Sequence, residues 1–142
     1  MNIKIIDNFL VEKDFCELNS LVLKEINDDQ IIVYENKIDK NDNVTSDCIS
    51  ESTMRRLQKN YHEKAVSILN ELSPKKVKLH DFSEFGITEN GSNYKFPIHD
   101  DIPAKLLSGV IYLKPQKNTG TIFYSSKSGK EKKEIEWKPN RA

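Results

Sequence analysis

Histidine and cysteine are scarce in this chain, net charge is absent, and no long apolar run occurs. Lys plus Arg number 22 against 22 Asp plus Glu, a formal net charge of +0. A balanced surface offers no field to draw in nucleic acid or an anionic membrane, so neither is expected as a partner. No apolar stretch approaches the length of a membrane span. The start Met1-Asn2-Ile3-Lys4 is interrupted by Asp7 too soon for a signal peptide, which makes a cytoplasmic location the expectation. The 2 cysteines, Cys16 and Cys48, are far apart and lack metal-ligand spacing; they read as free thiols. With only 3 histidines, cupin-like metal chemistry ranks last among the candidate functions. Internal repeats and low-complexity linkers are missing as well.

What is present describes one folded domain. A length of 142 residues suffices for a core without staples, and 37% hydrophobic with 31% charged residues fits a globular rather than a disordered chain. The first part, residues 1–74, reads as a helical flank and residues 75–142 as a β-core. Val11, Phe15, Leu18, Val22 and Ile26 fall on one helical face, followed by a strand over Ile31-Ile32-Val33-Tyr34. Residues 35–50 hold few apolar anchors and read as a surface loop. A second helix opens at Ser50 or Ser52 as N-cap, carries Met54, Leu57, Tyr61, Ala65, Ile68 and Leu72 on one face, and stops before Pro74. Its His62 lies off that stripe and reads as a solvated helix residue.

Beyond Pro74 the pattern turns to strands. Val77 to Thr88 reads as one long or bulged strand, Asn90-Gly91 as a turn, and Tyr94 to Asp101 as the return, with Pro97 marking an edge or a kink. His80, beside Asp81, reads as structural or solvent-facing, because adjacent strand residues face opposite sides. Leu106 to Leu113 is the most apolar strand candidate; Thr121 to Ser125 and Lys133 to Trp137 come next as a solvated hairpin. Helices first and strands afterwards give an α+β, mainly β, layout.

The chemistry sits in Tyr94-Lys95-Phe96-Pro97-Ile98-His99-Asp100-Asp101. In an extended chain residues i and i+2 project from one face, so His99 and Asp101 can offer an imidazole nitrogen and a carboxylate oxygen to one metal ion while Asp100 points away. That mixed donor set suits non-haem Fe(II) when a second His completes the triad. The pair gains meaning from two later segments, the strand Gly109-Val110-Ile111-Tyr112-Leu113 and then Asn118-Thr119-Gly120-Thr121-Ile122-Phe123. In this order the elements resemble the 2-oxoglutarate/Fe(II) dioxygenases of the prolyl 4-hydroxylase-like group, most clearly over the last third of the chain.

The resemblance implies a double-stranded β-helix, a jelly-roll-like barrel, with the two helices packed outside. It implies His99 and Asp101 as iron ligands, with no catalytic residue beyond them. It places Tyr112 where the family's tyrosine hydroxyl bonds the far carboxylate of 2-oxoglutarate; the bland alternative is a core tyrosine. Thr121 and Phe123 match packing positions, and residues 35–50 match loops that contribute to the substrate cleft. The implied cofactors are Fe(II) and, as cosubstrate, 2-oxoglutarate, and the implied reaction hydroxylates a small molecule or a protein side chain.

The family also uses a second His and then an Arg or Lys that anchors 2-oxoglutarate, and no His comes after His99 here. Arg141 precedes the place of that distal His and is not given the anchoring role. Two expectations remain: a C-terminally incomplete polypeptide, since Trp137-Lys138-Pro139-Asn140-Arg141 resembles the lead-in to the distal ligand, or a degenerate, non-catalytic member. In either case iron affinity and activity should be impaired, and an exposed strand edge could pair copies of the chain into a homo-oligomer. The competing reading, from another class, is a β-sandwich binding module without redox chemistry, in which His99 and Asp101 are ordinary polar residues at a strand end.

Overall fold

The computed structural model describes residues 2–129 and 131–142. The chain forms two compact units. One spans Leu21–Phe96; the other joins the two ends of the chain, up to Ser20 and from Pro97 onward. The elements are helices and small antiparallel sheets, as the α+β reading anticipates.

In the Leu21–Phe96 unit the central element is β1, Ile31–Ile38, flanked by β2, Val44–Ser46, and β3, Phe85–Asn90, both antiparallel to it. Tyr34 stands opposite Ile87 and Asn36 opposite Phe85. Tyr34, Asn36 and Ile38 are the buried side of β1, with the period of two that a half-covered strand requires. The strand runs four residues past Tyr34 into what reads as loop, and Asn36 is the reason. Its Oδ1 accepts hydrogen bonds from the Cys48 and Ile49 amides at 3.1 and 3.0 Å, and its Nδ2 donates to the Tyr34 carbonyl at 3.2 Å and to Cys48 Sγ at 3.4 Å. A polar residue therefore serves as a core residue, because its amide satisfies backbone groups that would otherwise be buried unpaired. Both cysteines are free thiols, and partial burial pushes that of Cys48 up.

Helix α1, Glu12–Asn19, belongs to the other unit; helix α2, Glu51–Leu72, packs on β1. Ser50 caps α2, its hydroxyl accepting from the Thr53 amide at 3.2 Å. Met54, Leu57, Tyr61 and Leu69 are buried along it, close to the expected stripe. Each such side chain contributes about 1.5–3 kcal/mol by leaving water. After Ser73 the chain tightens into a 3-10 turn over Pro74–Leu79 rather than a strand, since Pro74 presets a helical φ. Strand pairing begins only at Phe85. The turn marked by Asn90-Gly91 is present one residue on, the Tyr94 amide donating to the Gly91 carbonyl at 3.1 Å. Gly91 is required there, because a Cβ would overlap the Asn27 and Asp28 carbonyls.

In the unit built from the chain ends, β4, Thr121–Tyr124, and β5, Lys132–Ile135, form an antiparallel hairpin with Thr121 opposite Ile135. Residues 140–142 are bonded on both sides. Ala142 exchanges two backbone hydrogen bonds with Ile6, both 2.9 Å, and Asn140 accepts from the Phe9 amide at 2.9 Å. On the other side the Tyr112 amide donates to the Arg141 carbonyl at 3.0 Å, and the Asn140 amide to the Tyr112 carbonyl at 2.7 Å. Asn8 and Asn140 take left-handed φ values of 53° and 61°, a region asparagine tolerates.

Three further expected elements differ. Helix α1 ends at Asn19, well before Ile26, because Ser20 turns its hydroxyl back onto the Glu17 carbonyl at 2.9 Å and Asn-Ser favours a cap over a helix interior. Tyr94–Asp101 and Leu106–Leu113 are not strands; among the described residues they enter no ladder. Pro97 and Pro103 lack the donor a ladder needs, and Val110 is left 58% exposed, so the apolar alternation meets no second layer. Among the described residues no helix is long and apolar enough to cross a membrane.

Candidate functional site

His99 and Asp101 lie in the irregular segment between Pro97 and the turn in which the Lys105 amide donates to the Ile102 carbonyl at 3.0 Å. Both are exposed. His99 Nδ1 is 2.8 Å from the Pro97 carbonyl oxygen. A carbonyl can only accept, so Nδ1 carries the proton and, in the neutral ring, Nε2 carries the lone pair. The turn at 102–105 returns Lys105 to Asp101, Nζ to Oδ1 at 2.9 Å. Hydrogen bonds from Ser108 and then Lys105 hold the Asp101 carboxyl below the usual carboxylate range, and the neighbouring His99 adds to the effect. Asp100 takes a different partner, Lys127 at 3.3 Å.

Taken singly, these two side chains are of donor types that a metal accepts, an imidazole nitrogen and a carboxylate oxygen. A backbone-anchored Nδ1–H that leaves Nε2 as the ligating nitrogen is a common arrangement for a metal-binding histidine, and the ionised carboxylate supplies the hard oxygen. The Lys105 ammonium competes for that carboxylate, but both side chains are roughly half exposed, and such a pair contributes only about 0–1 kcal/mol. Among the described residues no group of three or more His, Cys, Asp or Glu side chains stands together as a metal site.

Tyr112 is buried. Its ring stacks on Trp137, centroids 4.4 Å apart and planes 20° off parallel, while Trp137 Nε1 donates to the Pro115 carbonyl at 2.9 Å. Its hydroxyl donates to Thr121 Oγ1 at 2.7 Å and accepts from the Thr121 amide at 2.9 Å. Thr121, expected only to pack, thus orients the tyrosine hydroxyl. Gly120 precedes it where a Cβ would overlap the Ile135 carbonyl, so the Gly-Thr pair brings the hairpin against Tyr112.

Arg141, not expected to anchor 2-oxoglutarate, pairs with Asp7, Nε to Oδ1 at 2.6 Å, and with Glu136 at 3.5 Å. Lys138 also reaches Asp7, at 2.7 Å. The Arg141 hydrogen bond first and that of Lys138 second hold the Asp7 carboxyl far below its ordinary value.

The sequence reading misses one cluster altogether. His62 Nδ1 and His80 Nε2 lie 3.3 and 3.4 Å from the same Ser83 Oγ, and the two rings are 4.9 Å apart. His62 is off the apolar stripe of α2 and His80 closes the 3-10 turn, so no local spacing links them; only the packing of that turn on α2 does.

No protein-family model, curated protein or solved structure matches this chain.

Proposed function

We propose that these residues belong to a 2-oxoglutarate- and Fe(II)-dependent oxygenase that hydroxylates a small molecule or a protein side chain. The proposed fold is a double-stranded β-helix, of which β4–β5 and the Tyr112 segment are parts. The observation that carries the reading is the His99–Asp101 pair: an imidazole fixed through Nδ1 to the Pro97 carbonyl, two residues before a carboxylate held ionised. Tyr112 and the Gly120-Thr121 hairpin come after it in the order the resembled family uses.

In this reading His99 Nε2 and Asp101 would hold the iron, which with 2-oxoglutarate supplies oxidative decarboxylation coupled to C–H hydroxylation. Pro97 sets the tautomer of His99, so the ligating nitrogen is presented without a proton. Hydrogen bonds from Ser108 and Lys105 orient the Asp101 carboxylate, and Lys105 is the counter-ion that metal binding would displace. Tyr112, stacked on Trp137, would turn its hydroxyl proton from Thr121 toward the far carboxylate of 2-oxoglutarate. No histidine comes after His99 in these 142 residues, so the reading assigns them two of the family's three protein donors.

The test is anaerobic titration with Fe(II) in the presence of 2-oxoglutarate, read as the weak visible charge-transfer band of the chelate. The band is expected in the wild type and absent in His99→Ala; a band of equal strength in both would remove His99 from the site. A second reading is favoured by one observation, the closing of Asp101 onto Lys105. It is a non-catalytic binding module, for which neither protein gives a band.

A further inference from the structure

The geometry points to a second metal site, for a borderline divalent cation of the Zn2+ or Cu2+ class, formed by His62 and His80 beside Ser83. It lies wholly within the Leu21–Phe96 unit and is independent of the oxygenase reading.

A serine hydroxyl has one proton to give. His62 Nδ1 and His80 Nε2 both face Ser83 Oγ, at 3.3 and 3.4 Å, so the hydroxyl can donate to one ring and must accept from the other. These contacts are long for hydrogen bonds, and neither ring gains much from sharing one oxygen. The two nitrogens thus converge on one point with their demand for a partner only weakly met. A cation answers that demand once the ring that donates to Ser83 shifts its proton to its other nitrogen, since two neutral imidazoles then each offer a lone pair to it.

The ring separation already suits this. With Zn–N bonds of about 2.0–2.1 Å in tetrahedral geometry, two imidazoles on one ion have centroids about 5 Å apart. Here they are 4.9 Å apart and inclined by 56°, so small side-chain rotations suffice. The backbone is settled before the ion arrives: His62 sits within the 22-residue α2, and His80 ends the 3-10 turn that packs on that helix. Both histidines and Ser83 are half-buried, which leaves a way in for the ion and room for water to complete its coordination. Bound metal would tie α2 to the segment that leads into β3, and therefore stabilise this unit by mass action.

The experiment uses the full chain with one equivalent of Cu2+ and counts coordinated imidazoles by pulsed electron paramagnetic resonance. Zn2+ affinity is measured alongside by calorimetry. Two imidazoles are expected in the wild type and one in His62→Gln or His80→Gln, with Zn2+ binding weakened at least tenfold in each. His99→Gln should leave the count at two. Both glutamine variants keep a polar side chain at a half-buried position, and circular dichroism reports that they fold. Fewer than two imidazoles in the wild type, or two that survive His62→Gln or His80→Gln, overturns the proposal. So does loss of the two-imidazole signal in His99→Gln, which would assign the ion to the other pair.

Discussion

The least exposed apolar side chains of the Leu21–Phe96 unit are Met54, Leu57 and Leu69, three residues of one helix face above β1. The unit formed by the chain ends is joined differently. Asp7 meets Arg141 and Lys138, Asn140 bonds Leu10, and Tyr112 is fixed by Thr121, Trp137 and the Asn140–Arg141 backbone. Burial of a helix face is non-directional and grows with area, whereas the joined ends add individual polar contacts of definite geometry to a smaller buried set that includes Leu10, Leu18 and Ile135. The candidate iron donors sit on the second kind of scaffold. Their positions therefore depend on charge and on hydrogen bonds more than on core volume.

That contrast predicts mutations of different size and character. Leu57→Ala should be the most damaging, destabilising by about 2–5 kcal/mol in urea unfolding, because it deletes buried methyl groups beneath α2 and leaves a cavity. Asn140→Ala should cost less, about 1–3 kcal/mol, by leaving the Leu10 amide and carbonyl without their 2.8 and 2.9 Å partners. It also puts alanine at a left-handed φ of 61°. Asn140→Gly should recover the backbone part of that loss and not the hydrogen bonds, which separates the two causes.

The smallest effect is a pH dependence. The Asp7 carboxyl is lowered in the folded protein from an ordinary value of 3.8, so the folded state holds fewer protons there than the unfolded state as the pH falls. The stability it contributes is complete above about pH 5 and is lost as the pH falls past the ordinary value toward the much lower folded one. Asp7→Asn should therefore be less stable than the wild type at neutral pH, and the gap should close progressively below about pH 4. A gap independent of pH would mean that Asp7 acts through packing or neutral hydrogen bonds rather than through its charge. Added salt should narrow the neutral-pH gap as well, since the pair is partly exposed.

Local pattern reveals only part of each unit. The face of α2, its Ser50 cap and its stop before Pro74 are set by apolar spacing and capping chemistry, as is the β4–β5 hairpin. Asn36 defeats the same approach, because a polar residue that satisfies three backbone groups is indistinguishable in sequence from a loop residue. The strong alternation of Leu106–Leu113 misleads in the opposite direction: period two signals a strand only where a partner and a second layer exist. The Asp7–Arg141 and Leu10–Asn140 contacts bridge more than a hundred residues, beyond any local window. In the candidate site, the proposal of His99, Asp101 and Tyr112 rests on residue type and order alone. The Lys105 and Ser108 partners of Asp101, the Thr121 grip on Tyr112 and the meeting of His62 with His80 were not legible, because each is created by a turn or by packing.

The most direct test sets the two histidine sites against each other in one titration. Fe(II) is added anaerobically, with 2-oxoglutarate present, to the wild type, His99→Ala and His62→Gln, and the visible charge-transfer band is monitored. The account predicts a band that His99→Ala abolishes and His62→Gln leaves intact. A band that persists in His99→Ala and disappears in His62→Gln would contradict it, moving the iron chemistry from the joined chain ends to the helix-and-sheet unit.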